Sequence, residues 1–108
     1  MNSRFIEGPA IDKNGYISWK IEDADTVGLK FWKKHDDKTP ENQVYATNRV
    51  KGGLELDEKM GFKKNEHYVC DFILRNVDKN TVQDIKKYPN QGKLENLGDI
   101  ITLEFKFK

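Results

Sequence analysis

His67 and Cys70 are the residues of this 108-residue chain whose types most invite a chemical role, as a thiol–imidazole pair. Their setting argues against it. The run Tyr68-Val-Cys-Asp-Phe-Ile-Leu74 alternates apolar and polar residues with a period of two, the mark of a strand. Residues three apart on a strand point to opposite faces, so thiol and imidazole are poorly placed to exchange a proton. The second histidine, His35, stands in an acidic loop, and one cysteine with two distant histidines falls short of a local zinc set. Hard oxygen ligands offer calcium a little more: Glu22, Asp23 and Asp25 share one predicted loop, Asp36 and Asp37 another. These loops lie at opposite ends of one strand and cannot share an ion, and the first alone brings too few oxygens. Lys51-Gly52-Gly53 reads as a turn and not as a phosphate cradle. No catalytic, cofactor-binding or metal-ligating residue is assigned, and a non-enzymatic protein is expected.

Period-two alternation recurs along the whole chain, so the elements around these residues are strands. Ile17, Trp19 and Ile21 form one apolar set after the turn-forming Asn14-Gly15; Val27, Leu29 and Phe31 form the next. Val44, Ala46 and Val50 share one parity, with Tyr45, Thr47 and Arg49 on the other, and Leu54 and Leu56 follow Gly52-Gly53. Tyr68, Cys70, Phe72 and Leu74 line one face of a long strand, and Ile101, Leu103, Phe105 and Phe107 one face of the last. With an N-terminal strand near Phe5-Ile6 and Ala10-Ile11, the count is about seven short strands, which suits two stacked antiparallel sheets in one domain over residues 1–108. Turn residues separate the strands, Leu97-Gly-Asp99 among them. The exception is the long connection 76–98 before the final strand, where Thr81–Lys87 is expected to form a helical turn or two.

Phe62, Lys64 and Tyr68 have the layout of a tyrosine corner, in which a buried phenol bonds nearby backbone where the chain crosses between sheets. With Trp19 ending the second strand and Tyr68-Val-Cys-Asp-Phe72 in the place of the sixth, the chain resembles the fibronectin type III group of immunoglobulin-like sandwiches. The likeness spans roughly residues 5–75 and the final strand; it departs at Lys64, where the family prefers proline, and at the long connection. The resemblance implies a binding or spacer module, often of an exported or surface protein, and brings no catalytic residues.

Binding is therefore the expectation. If Val27, Leu29 and Phe31 face the core, Trp32 points outward, and Tyr45, Val69 and Ile73 join it in an apolar strip edged by charges such as Asp71 and Arg75. The expected contacts are Trp32, Tyr45, Ile73 and Arg75, with Tyr88 from the long connection. The alternative is that 76–98 folds back to cover the strip. A protein partner fits best. A glycan platform would need Trp32 and Tyr45 aligned, and a cytosolic inhibitor or immunity-type protein would bind through 76–98. Basic and acidic residues number 19 and 18, so no basic excess points to nucleic acid. No window nears the roughly 20 apolar residues that span a bilayer. The N-terminus has no signal-peptide run. Export from a bacterium to the cell surface or medium is expected if a leader was removed, and a cytosolic site if this is the complete chain.

Overall fold

The computed structural model describes residues 3–50, 52–77 and 94–108. Among the described residues alternation becomes seven strands: β1 (Arg4–Ile11), β2 (Tyr16–Glu22), β3 (Thr26–Lys33), β4 (Tyr45–Arg49), β5 (Leu54–Glu55), β6 (His67–Val77) and β7 (Leu94–Lys106). They pair antiparallel into a three-stranded sheet, in the order β1-β2-β5, and a four-stranded sheet, in the order β4-β3-β6-β7. The result is an all-β sandwich. The inward sets are those the alternation predicts: Ile17 and Trp19 from one sheet, Val27, Leu29, Phe31, Tyr68, Cys70, Phe72 and Leu74 from the other, all buried in one core. Among the described residues helix is limited to two single 3-10 turns, Pro40–Asn42 and Glu58–Met60, and no helix is long and apolar enough to cross a membrane.

The crossing from β5 to β6 is where the sequence is most specific. Asp57 caps the second 3-10 turn, its carboxylate accepting from the Met60 N–H at 3.1 Å, and Gly61 ends it in the left-handed region that a residue without Cβ reaches at no steric cost. The chain then passes over the fully buried Tyr68, whose hydroxyl oxygen accepts the Lys63 N–H at 2.7 Å. Phe62 packs edge-on against the Tyr68 ring, with centroids 4.9 Å apart, while Lys64 stays exposed. The phenol thus satisfies a loop donor that no strand can reach. This is the corner that the spacing predicts.

Two boundaries differ from expectation. β7 begins at Leu94, so Leu97-Gly-Asp99 is an irregularity inside a strand and not a turn before it; the register with β6 slips between Phe72↔Ile101 and Leu74↔Leu97. Parity in β4 is also reversed. Tyr45, Thr47 and Arg49 pair with Phe31, Leu29 and Val27, which puts them on the inner side. The helical turn expected at Thr81–Lys87 lies outside the described residues.

Candidate functional site

The outer face of the four-stranded sheet carries most of the residues expected to make contacts. Register fixes their neighbours. Trp32, Val69 and Glu104 stand in one row across β3, β6 and β7; Lys30, Asp71 and Thr102 in the next; Gly28 and Ile73 in a third. Trp32 does point outward, but it is only 4% exposed. The loop after β3 lies on it. The indole N–H donates to the Thr39 carbonyl at 2.8 Å, and the Lys38 ammonium sits 5.7 Å from the ring centroid. Lys38 also donates to Asp71 at 2.8 Å, and Thr102 donates to the same carboxylate oxygen at 2.7 Å. Asp71 is 7% exposed, so its charge is carried by a cation and a hydroxyl rather than by water. Val69 and Ile73, on either side of it, are also buried.

The expectation of an open strip is corrected at four residues, the buried Val69 among them. Trp32 and Ile73 are buried, the former beneath Lys38 and Thr39. Tyr45 is on the opposite side of the sheet, with its ring 6.1 Å from Phe31 and 6.5 Å from Phe62. The cause is the β4 register described above: pairing with β3, not local pattern, chooses which half of an ambiguous strand goes inside. Trp32 and Tyr45 cannot form one stacking platform. Arg75 does lie outward, and its guanidinium donates to the Asn48 side-chain oxygen at 2.8 Å. To reach Asn48 on β4 it crosses β3 at Gly28, where an added Cβ would come within 2.9 Å of the guanidinium carbon. Burial lowers the Arg75 pKa from its ordinary value. Tyr88 lies outside the described residues.

The Lys38–Asp71–Thr102 network was not foreseen, although two signals for it exist. Asp71 interrupts an otherwise apolar strand, and a loop holding Thr39, Pro40 and Asn42 starts two residues after Trp32. Arg75 over Gly28 had a signal too, since a glycine in mid-strand often marks close approach.

The remaining chemistry-bearing residues gather less well. His35 and His67 are exposed and line one shallow cavity of about 220 Å³ with Lys33, Lys34, Asp36 and Glu66. None of those six side chains carries a hydroxyl or thiol nucleophile. Cys70 faces the core, away from His67, and burial pushes its thiol well above the ordinary range. Among the described residues no three His, Cys, Asp or Glu side chains come close enough to hold a metal ion.

The larger cavities lie elsewhere, along the seam where β1 of one sheet runs beside β7 of the other. One, of about 460 Å³, is lined by Pro9–Lys13 and by Leu103–Phe105, Lys106 and Lys108; another, of about 360 Å³, by Phe5, Gly8, Leu74 and Ile101 with their neighbours. Among the described residues, β7 is hydrogen-bonded to β6 alone. The Phe107 N–H donates to the Glu66 carbonyl at 3.0 Å, and the Phe107 carbonyl accepts from Asn65 at 2.7 Å, so odd-numbered residues direct their backbone toward β6. By the alternation of antiparallel ladders, Thr102, Glu104 and Lys106 direct theirs away from it. Their side chains are exposed, and those of Leu103 and Phe105 are half-buried beside the cavity. No family model, curated protein or solved structure matches this chain.

Proposed function

We propose that this chain is a non-enzymatic protein-binding or assembly module, fibronectin type III-like in its sandwich, which receives a partner as an added strand along β7. One observation carries the reading: the backbone donors and acceptors of Thr102, Glu104 and Lys106 face away from β6, with no strand beyond them among the described residues. Strand addition uses such groups for affinity and the alternating side chains for selectivity. The half-buried Leu103 and Phe105, next to the seam cavity, supply apolar surface for every second residue of the guest. The fibronectin-like assignment is supported by a core tryptophan on the second strand and a corner tyrosine on the sixth. Its proposed place is on the surface of a bacterium or outside it, because modules of that kind often belong to exported or surface proteins. A glycan platform is less well supported, because Trp32 and Tyr45 lie on opposite faces of one sheet.

The test is selection of extended decapeptides from a displayed library, followed by hydrogen exchange. Bound peptides should slow exchange at the Thr102, Glu104 and Lys106 amides. Glu104→Pro removes an outward N–H without touching the β6 ladder and should abolish binding while the fold persists. Peptides that bind this variant equally well, or protect other amides, would refute the edge as the site.

A further inference from the structure

We infer that the partner which best fits the β7 edge is a second copy of this chain, paired antiparallel through β7 in a register centred on Phe105. The inference rests on the edge reading above and goes further by naming the guest. Outward-directed backbone lies on even-numbered residues, so a two-fold pairing must set even against even and odd against odd. Six centres lie along the regular part of the strand, Ile101 to Lys106, and those on Ile101 and Thr102 set Glu104 and Lys106 only against uncharged residues. Centred on Glu104, the pairing opposes two glutamates; centred on Lys106, it opposes two lysines, and in both cases like charges meet directly. Centred on Leu103, it sets Glu104 against threonine and Lys106 against Ile100. Centred on Phe105, it sets each Glu104 against the other copy's Lys106, and Leu103 against Phe107, with the two Phe105 rings meeting on the axis.

The side chains suit that last arrangement. Glu104 and Lys106 are exposed, and Lys106 has no acidic partner among the described residues. Among the described residues Glu104 forms one ion pair, with Lys34 at 3.3 Å through Oε2, which leaves its other oxygen for a second cation. Phe105 at the axis occupies a non-hydrogen-bonded pair, the site where opposing side chains approach most closely. Lysine on an edge ordinarily repels a strange strand. In this one register it becomes the complement of the glutamate two residues before it. The symmetry is self-consistent, since an isologous contact must match a patch to itself. So short a strip buries less than ~1,200 Å², the size of weak and reversible contacts.

Sedimentation equilibrium on the full chain and its charge variants tests the register. The wild type should show a concentration-dependent dimer. Glu104→Lys alone and Lys106→Glu alone each create two like-charge pairs per dimer and should weaken it at least ~tenfold. Mixed in equal amounts, the two variants should recover wild-type association as a heterodimer, because every pair is then complementary; the doubly swapped chain should recover it too. A wild type that stays monomeric, a dimer indifferent to both single swaps, or a mixture that fails to recover would each overturn the proposal. A monomeric chain whose edge amides are still protected by selected peptides would sink self-pairing alone, and loss of that protection as well would sink the edge reading with it.

Discussion

β1 and β7 border the same seam of the sandwich, yet as edges they are opposites. β1 pairs with β2 in a register that slips twice, between Phe5 and Glu7 and between Glu7 and Ala10, and it contains Gly8 and Pro9. A visiting strand would find its donors and acceptors out of step and one N–H missing, which is how natural sheets discourage edge pairing. β7 runs in unbroken register from Phe72↔Ile101 to His67↔Lys106, with no proline. The anchoring differs as well. Phe105 contacts the rings of Phe31, Phe62 and Tyr68, whereas Phe5 contacts that of Phe72 alone. One edge is irregular and lightly held; the other is regular from Ile101 onward and firmly held. A strand that must present its backbone to a guest needs the second condition.

The largest effect should come from removing those anchors. Phe105→Ala should cost about 2–4 kcal/mol and Phe5→Ala about 1–2 kcal/mol, both below the full core value because each ring is half-buried. Urea denaturation of the two variants decides it, and equal losses would break the contrast between the edges. Next comes the corner. Tyr68→Phe leaves the Lys63 N–H without its partner and should cost about 1–3 kcal/mol. Because Tyr68 pairs with Phe105, hydrogen exchange should rise along β6 and β7 more than along β1 and β2. A variant that melts with the wild type would remove the corner from the account.

The smallest effect is set by pH. Cys70 on β6 pairs with Leu103 on β7, and its pKa is raised by burial and then by Asp71. The unfolded chain releases the thiol proton near the ordinary value of about 8.5 while the folded chain keeps it. The unfolded state therefore binds fewer protons above that pH, and stability falls as pH rises. Relative to Cys70→Ala, the wild type should lose up to ~1.4 kcal/mol per pH unit above about 8.5. Parallel alkaline profiles for the two proteins would mean the thiol is not shielded.

Much of this fold was readable before any coordinates. Strict alternation in β2, β3 and β6 named the core, and Phe62-x-Lys64-x-x-x-Tyr68 named the crossing between sheets, because both depend on local spacing. The contact residues were less readable, and for definite reasons. In β4 either parity makes a tolerable inner face, so only the partner strand could place Tyr45. The outward direction of Trp32 followed from its neighbours, but its cover did not: Lys38 and Thr39 are polar and gave no hydrophobic signal that they close over a ring. At Leu97-Gly-Asp99 turn chemistry spoke for a loop, and tertiary pairing with Leu74 kept the strand going. The β7 edge left no residue-type signature at all, since what distinguishes it is outward backbone with no strand beyond it among the described residues.

Arg75 crossing over Gly28 to Asn48 has a consequence for how this chain can drift. An alanine at 28 would displace the guanidinium and the Asn48 amide and cut the bond between them, while the strand itself could accept the methyl group, because the obstruction is the movable ends of two side chains. Shortening of residue 75 beforehand removes two of the three close approaches and leaves only the Asn48 side-chain oxygen, 2.9 Å from the added Cβ, to turn aside. The two positions are therefore epistatic, and one order of mutation is open where the other carries a penalty. Lineages that had lost the arginine would be free to fill position 28, and those that kept it would hold the glycine in place.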